Sequence, residues 1–60
     1  MSDFYSKGSR SASIEPLFTK DYMVTFVDTD ESYEGFETFH KLEQAESAAQ
    51  RWIEYDYNPI

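Results

Sequence analysis

The sequence predicts an α+β fold: a small β-hairpin followed by one α-helix packed on the sheet (ββα), behind a disordered Ser-rich N-terminal arm. Three observations carry this expectation. Residues 22–27, Tyr-Met-Val-Thr-Phe-Val, are all β-branched or aromatic except Met23, the composition a pleated, packed surface selects. Leu42, Ala45, Ala49, Trp52 and Ile53 recur at helical spacing within residues 42–55, forming a continuous apolar stripe. Residues 1–13 hold five serines, one glycine and two basic residues, with little apolar surface to offset ordering entropy.

The arm comes first and is expected to be disordered, with Phe4 and Tyr5 free to dock on the domain or a partner. Residues 14–19 approach the domain, where Pro16 holds Glu15 extended and Leu17 and Phe18 are expected either to cover one edge of the sheet or to form a short extra strand. The expected organisation is an arm over residues 1–16 and a small acidic domain over 17–60. In the first strand, alternation puts Tyr22, Val24 and Phe26 on one face and Met23, Thr25 and Val27 on the other. Residues 28–35 read as a turn, since Asp and Ser bond their own backbone and Gly35 tolerates positive φ. A second strand is expected over residues 35–39, with Phe36 and Thr38 on one face and Glu37 and Phe39 on the other. The helix follows over residues 42–55. Ala, Leu, Gln and Glu dominate it and favour helix, and Asn58-Pro59 stops it. The expected core is Val24, Phe26, Phe36, Leu42, Ala45, Ala49, Trp52 and Ile53. So small a core scarcely offsets the entropy of ordering the chain. Self-association as a homodimer, or a partner that completes the sheet at an open Tyr22–Val27 edge, is therefore expected.

Charge is distributed unevenly over the 60 residues, whose formal net charge is −7. Residues 1–20 set Lys7, Arg10 and Lys20 against Asp3 and Glu15, net +1, while residues 21–60 carry net −8. An acidic field repels phosphate backbones and anionic lipids and favours basic partners; it also keeps a small protein dispersed. No apolar run is long enough to span a bilayer. Met1-Ser2-Asp3-Phe4-Tyr5 lacks the apolar segment of a signal peptide, so a cytoplasmic location is expected, with no membrane association.

Few residues invite chemistry. Without cysteine and with one histidine, the usual zinc sites are excluded. Asp28-Thr29-Asp30-Glu31-Ser32 starts like a calcium loop, but Tyr33 stands where glycine is needed and Phe39 where glutamate is needed; a solvated loop is the better reading. His40 sits at the strand-to-helix junction without a partner that marks it as a general base. There is no nucleophile elbow and no glycine-rich phosphate cradle. The expectation is a protein that is not an enzyme and takes no cofactor and no metal.

The hairpin, Thr38 and the alanine-bearing helix Ala45-Glu46 to Ala48-Ala49 look like the small three-strand-plus-helix DNA-binding modules. The basic strand residues of such modules are missing, so direct nucleic-acid binding is not the expectation, and a route through Lys7 and Arg10 of the arm ranks third. In being short, cysteine-free, acidic and aromatic-rich, the chain also resembles the small acidic proteins that bacteriophages use against host machinery. That likeness implies a protein-binding inhibitor or modulator whose target has a basic, nucleic-acid-handling surface. Asp28, Asp30, Glu31, Glu34, Glu37, Glu43 and Glu46 would stand where phosphates normally bind. Tyr33, Tyr55 and Tyr57 would anchor the contact, since tyrosines are frequent interface anchors. The alternative is an accessory subunit of a larger assembly, joined by strand addition.

Overall fold

The computed structural model describes residues 3–54. Five elements follow in order: β1 (Asp3–Lys7), β2 (Arg10–Pro16), β3 (Tyr22–Asp28), β4 (Tyr33–Phe39) and α1 (Leu42–Ile53). The strands make one antiparallel sheet in the order β1-β2-β3-β4, and α1 packs across one face of it. The α+β class is as expected; the sheet has four strands where two were read.

The difference lies in the serine-rich segment. Asp3–Lys7 and Arg10–Pro16 are strands, with Tyr5 opposite Ala12 and Ile14 opposite Val24. A period of two runs through them after all. Tyr5, Ala12 and Ile14 point to the helix, while Ser6, Ser11 and Ser13 point away, and Ala12 and Ile14 are buried. Serine on the uncovered face of a half-buried sheet costs nothing in desolvation, so a low apolar count concealed two strands. The boundary expected between residues 16 and 17 falls where β2 ends. Gly8 and Ser9 join β1 to β2, and Gly8 has φ 62°. Positive φ at the first of two loop residues suits the right-handed twist of a hairpin.

The β2–β3 connection closes through Leu17 N–H to the Asp21 carbonyl (2.9 Å) and Lys20 N–H to the Leu17 carbonyl (3.1 Å). The β3–β4 loop is shorter than expected. Tyr33 already pairs with Asp28, which leaves residues 29–32 as the turn.

Register decides what is buried. On β3, Val24 and Phe26 face the helix, opposite Glu37 and Gly35 of β4. Phe36 lies opposite Thr25, on the face away from α1, and is 63% exposed. Leu42 begins the helix beyond the sheet and is 40% exposed. Neither belongs to the core as expected. The buried core is Ala12, Ile14, Val24, Phe26, Ala45, Ala48, Ala49 and Trp52, with Ile53 half-buried against it. Small side chains at 45, 48 and 49 let the helix axis lie close over the strands, and Trp52 fills the remaining volume at one end. The helix ends at Ile53 with Glu54 as its C-cap; residue 55, expected as its last, lies outside the described residues.

Candidate functional site

The end of the sheet where β3 turns into β4 is organised around one carboxylate. Asp28 is 2% exposed. Its Oδ2 accepts from Arg10 Nε at 3.0 Å. Its Oδ1 accepts from Ser9 Oγ (3.0 Å) and from the backbone N–H of Asp30 (3.0 Å) and Glu31 (3.3 Å). Burial pushes the Asp28 carboxyl up. The bonds from Arg10, Ser9 and the Glu31 and Asp30 amides together outweigh it and hold the group below its ordinary value of 3.8. Arg10 is held on its other side as well. Its guanidinium lies 4.1 Å from the centre of the Trp52 ring, and Nη1 donates to the Trp52 carbonyl at 3.2 Å. Trp52 Nε1 in turn donates to the Ser11 and Val27 carbonyls, at 3.0 and 3.2 Å, and so ties the helix to β2 and β3 together. Phe26 and Tyr33 pack on the same indole, with ring centres 5.3 and 5.6 Å away.

This clasp redistributes the residues expected to bind a partner. Asp28 is spent inward, on Arg10. Tyr33 is half-buried against Trp52 and passes over Gly35, where an added Cβ would collide with the Tyr33 hydroxyl; it packs on the protein's own core. Asp30 and Glu31 are exposed on the turn, and Glu34 is exposed at the start of β4. These three carboxylates come together at one end of the sheet, and no ion pair among the described residues engages them. Glu37 is half-buried on the helix-covered face of β4. Glu43 lies on α1 and lines an open groove of about 530 Å³ with Phe39, Gln44, Ser47, Ala48 and Arg51. Glu46 is on the side of α1 towards β1, where it acts on Tyr5. Burial first, then the charges of Glu46 and Asp3, raise the Tyr5 hydroxyl above its ordinary value. Tyr55 and Tyr57 lie outside the described residues. Seven expected acids thus fall into separate places, and the turn group Asp30, Glu31 and Glu34 is the one that remains a cluster.

The catalytic and metal expectations concern other groups. His40 is exposed, with Nδ1 2.8 Å from Asp21 Oδ1, and Thr19 Oγ1 donates to the other Asp21 oxygen at 3.3 Å. This solvent-exposed contact spans from the β4–α1 junction to the β2–β3 loop. Among the described residues, no group of three or more His, Cys, Asp or Glu side chains could hold a metal ion. No helix among them is long and apolar enough to cross a membrane.

Sequence reasoning missed the face of the sheet opposite α1. Phe4, Ser13, Thr25 and Phe36 form one row across all four strands, with Phe4 70% exposed at one rim and Phe36 at the other. Ser6, Ser11, Val27 and Glu34 make the row on one side; Glu15, Met23 and Thr38 lie on the other. Every charged group described on this face is a carboxylate. The signal was present in the alternation of residues 10–15, where Ser11, Ser13 and Glu15 hold every second place.

No protein-family model, no curated protein and no solved structure matches the chain.

Proposed function

We propose that the chain is a non-enzymatic protein-binding module, an inhibitor or modulator of a protein with a basic, nucleic-acid-handling surface. The observation that supports this most is the grouping of Asp30, Glu31 and Glu34. They lie at one end of the sheet, while Arg10 is turned inward to Asp28 and Trp52. Exposed carboxylates on this turn and at the start of β4 present negative charge at one end of the sheet, as a run of phosphates does. On the open face the one further charge among the described residues, Glu15, is also a carboxylate. The inward fate of Arg10 weighs against the nucleic-acid reading, because it removes one of the two cations that reading needs. The strand-addition reading needs an outer strand, and β3 lies between β2 and β4; its edge is β1 or β4, not Tyr22–Val27.

The test is capture of proteins from a lysate by the immobilised chain, beside the variant Asp30→Lys/Glu31→Lys/Glu34→Lys. The reading expects a nucleic-acid enzyme that high salt elutes, duplex DNA displaces and the triple variant fails to retain. A retained set that is indifferent to salt, DNA and the three substitutions would overturn it.

A further inference from the structure

Cross-strand register singles out the outer edge of β4. Among the described residues, the strand order leaves β4 paired on one side only. Its seven residues, Tyr-Glu-Gly-Phe-Glu-Thr-Phe, pair with β3 one to one, without a bulge. They include no lysine, arginine or proline. Its edge charges are Glu34 and Glu37, both carboxylates that a suitable register keeps apart, and its outward N–H and C=O groups can template another strand. The opposite edge, β1, is shorter, with five residues, and ends on Lys7.

We propose that β4 pairs with β4 of a second copy, antiparallel and centred on Phe36, which joins two four-stranded sheets into one. A two-fold pairing keeps each side chain on its own face, so the centre must fall on a residue. Centres on Glu34 or Glu37 set identical carboxylates face to face. A centre on Gly35 sets Glu34 against Phe36 and Tyr33 against Glu37. A centre on Phe36 sets Phe36 against Phe36, Tyr33 against Phe39, Glu34 against Thr38 and Gly35 against Glu37. Three aromatic pairs form, a hydroxyl meets each Glu34, and no two carboxylates oppose each other. Those are the favourable cross-strand neighbours, and opposed like charges are the unfavourable ones. The same pairing covers Phe36, which is 63% exposed in the single chain, and makes the open face continuous across both copies.

This inference names the occupant of the edge that the strand-addition reading requires, and it does not depend on the basic-partner reading. The two also respond to salt in opposite ways. Two copies of net charge −7 repel at long range, so screening strengthens their association, whereas it weakens attraction to a basic partner.

The experiment is sedimentation equilibrium of the full chain at low and moderate salt, with circular dichroism on each variant. The expected result is a dimer that tightens with salt. Phe36→Lys opposes two ammonium groups and raises the dimer Kd by about tenfold. Thr38→Glu opposes two pairs of carboxylates and acts likewise, and adding Glu34→Lys restores association. Positions 34 and 38 of one chain are about 13 Å apart along the strand, so the restoration reads contact between copies. All three side chains are exposed; should Phe36→Lys unfold, the Thr38 and Glu34 pair decides. A monomer at every concentration and salt overturns the proposal. So does a dimer indifferent to these substitutions but abolished by Lys7→Glu, which would place the second copy on β1.

Discussion

Arg10 and Asp28 each satisfy a need the other creates. A carboxylate this deeply buried requires a cation and hydrogen bonds, and a guanidinium stacked on an indole requires a counter-charge close by. Removing one partner alone should therefore cost more than removing both. Arg10→Met keeps the stem over Trp52 but strands Asp28. The expected outcome is a large fall in the urea midpoint, partly recovered in Arg10→Met/Asp28→Asn, as a double-mutant cycle would read. The pH dependence has a definite sign. The folded-state value of Asp28 is lowered, so its contribution is full above the unfolded carboxylate value near 3.8 and is lost as pH falls through the lower folded value. Thermal midpoints measured from neutral pH down through that range should drop less steeply in Asp28→Asn than in the parent chain. Tyr5 has the opposite sign. Its raised value gives stability that is present below the unfolded value near 10 and lost as pH climbs through the folded one.

At the level of elements, helix α1 and strand β3 were legible because each advertises itself in a few residues. One has a stripe of small and aromatic side chains at 3.6 spacing; the other is a β-branched and aromatic run interrupted only by Met23. Strands β1 and β2 were not, because hydrophobic count is a poor guide when half of a strand faces water. Ala12 and Ile14 are the only aliphatic side chains that β2 offers the core, and Ser11, Ser13 and Glu15 between them read as linker. Phe36 was misplaced for a related reason. Counting faces along β4 alone cannot say which face meets the helix; that follows from its pairing, which puts Gly35 opposite Phe26. The candidate site was legible as composition and not as geometry, since nothing in the spacing of Asp28 distinguishes a carboxylate that turns inward from its neighbours that do not. One consequence is testable. Deleting residues 1–13 would be harmless to an arm, but here it removes β1, most of β2 and the Arg10 clasp. The expected outcome is loss of cooperative thermal unfolding, followed by circular dichroism. An intact transition in the truncated chain would show that β3, β4 and α1 suffice.

For the whole molecule, the balance of charge opposes the compact state as well as any self-association. With 12 acidic and 5 basic residues, self-repulsion is relieved when salt shortens its range. The thermal midpoint of a sample dilute enough to be monomeric should therefore rise between low and moderate sodium chloride, and fall back only if a specific attraction dominates. The single tryptophan gives such measurements a convenient light source. Trp52 sits where helix, β2 and β3 are fastened together, 1% exposed, with a guanidinium on its face and Tyr33 within 5.6 Å. Light absorbed by Tyr33, 19 residues away in sequence, passes to this indole most efficiently while the chain is folded around it. Its emission colour, its access to dissolved quenchers and its yield on tyrosine excitation will change together when the clasp opens. The protein thus carries, with no label added, an optical gauge placed at the joint between its helix and its sheet.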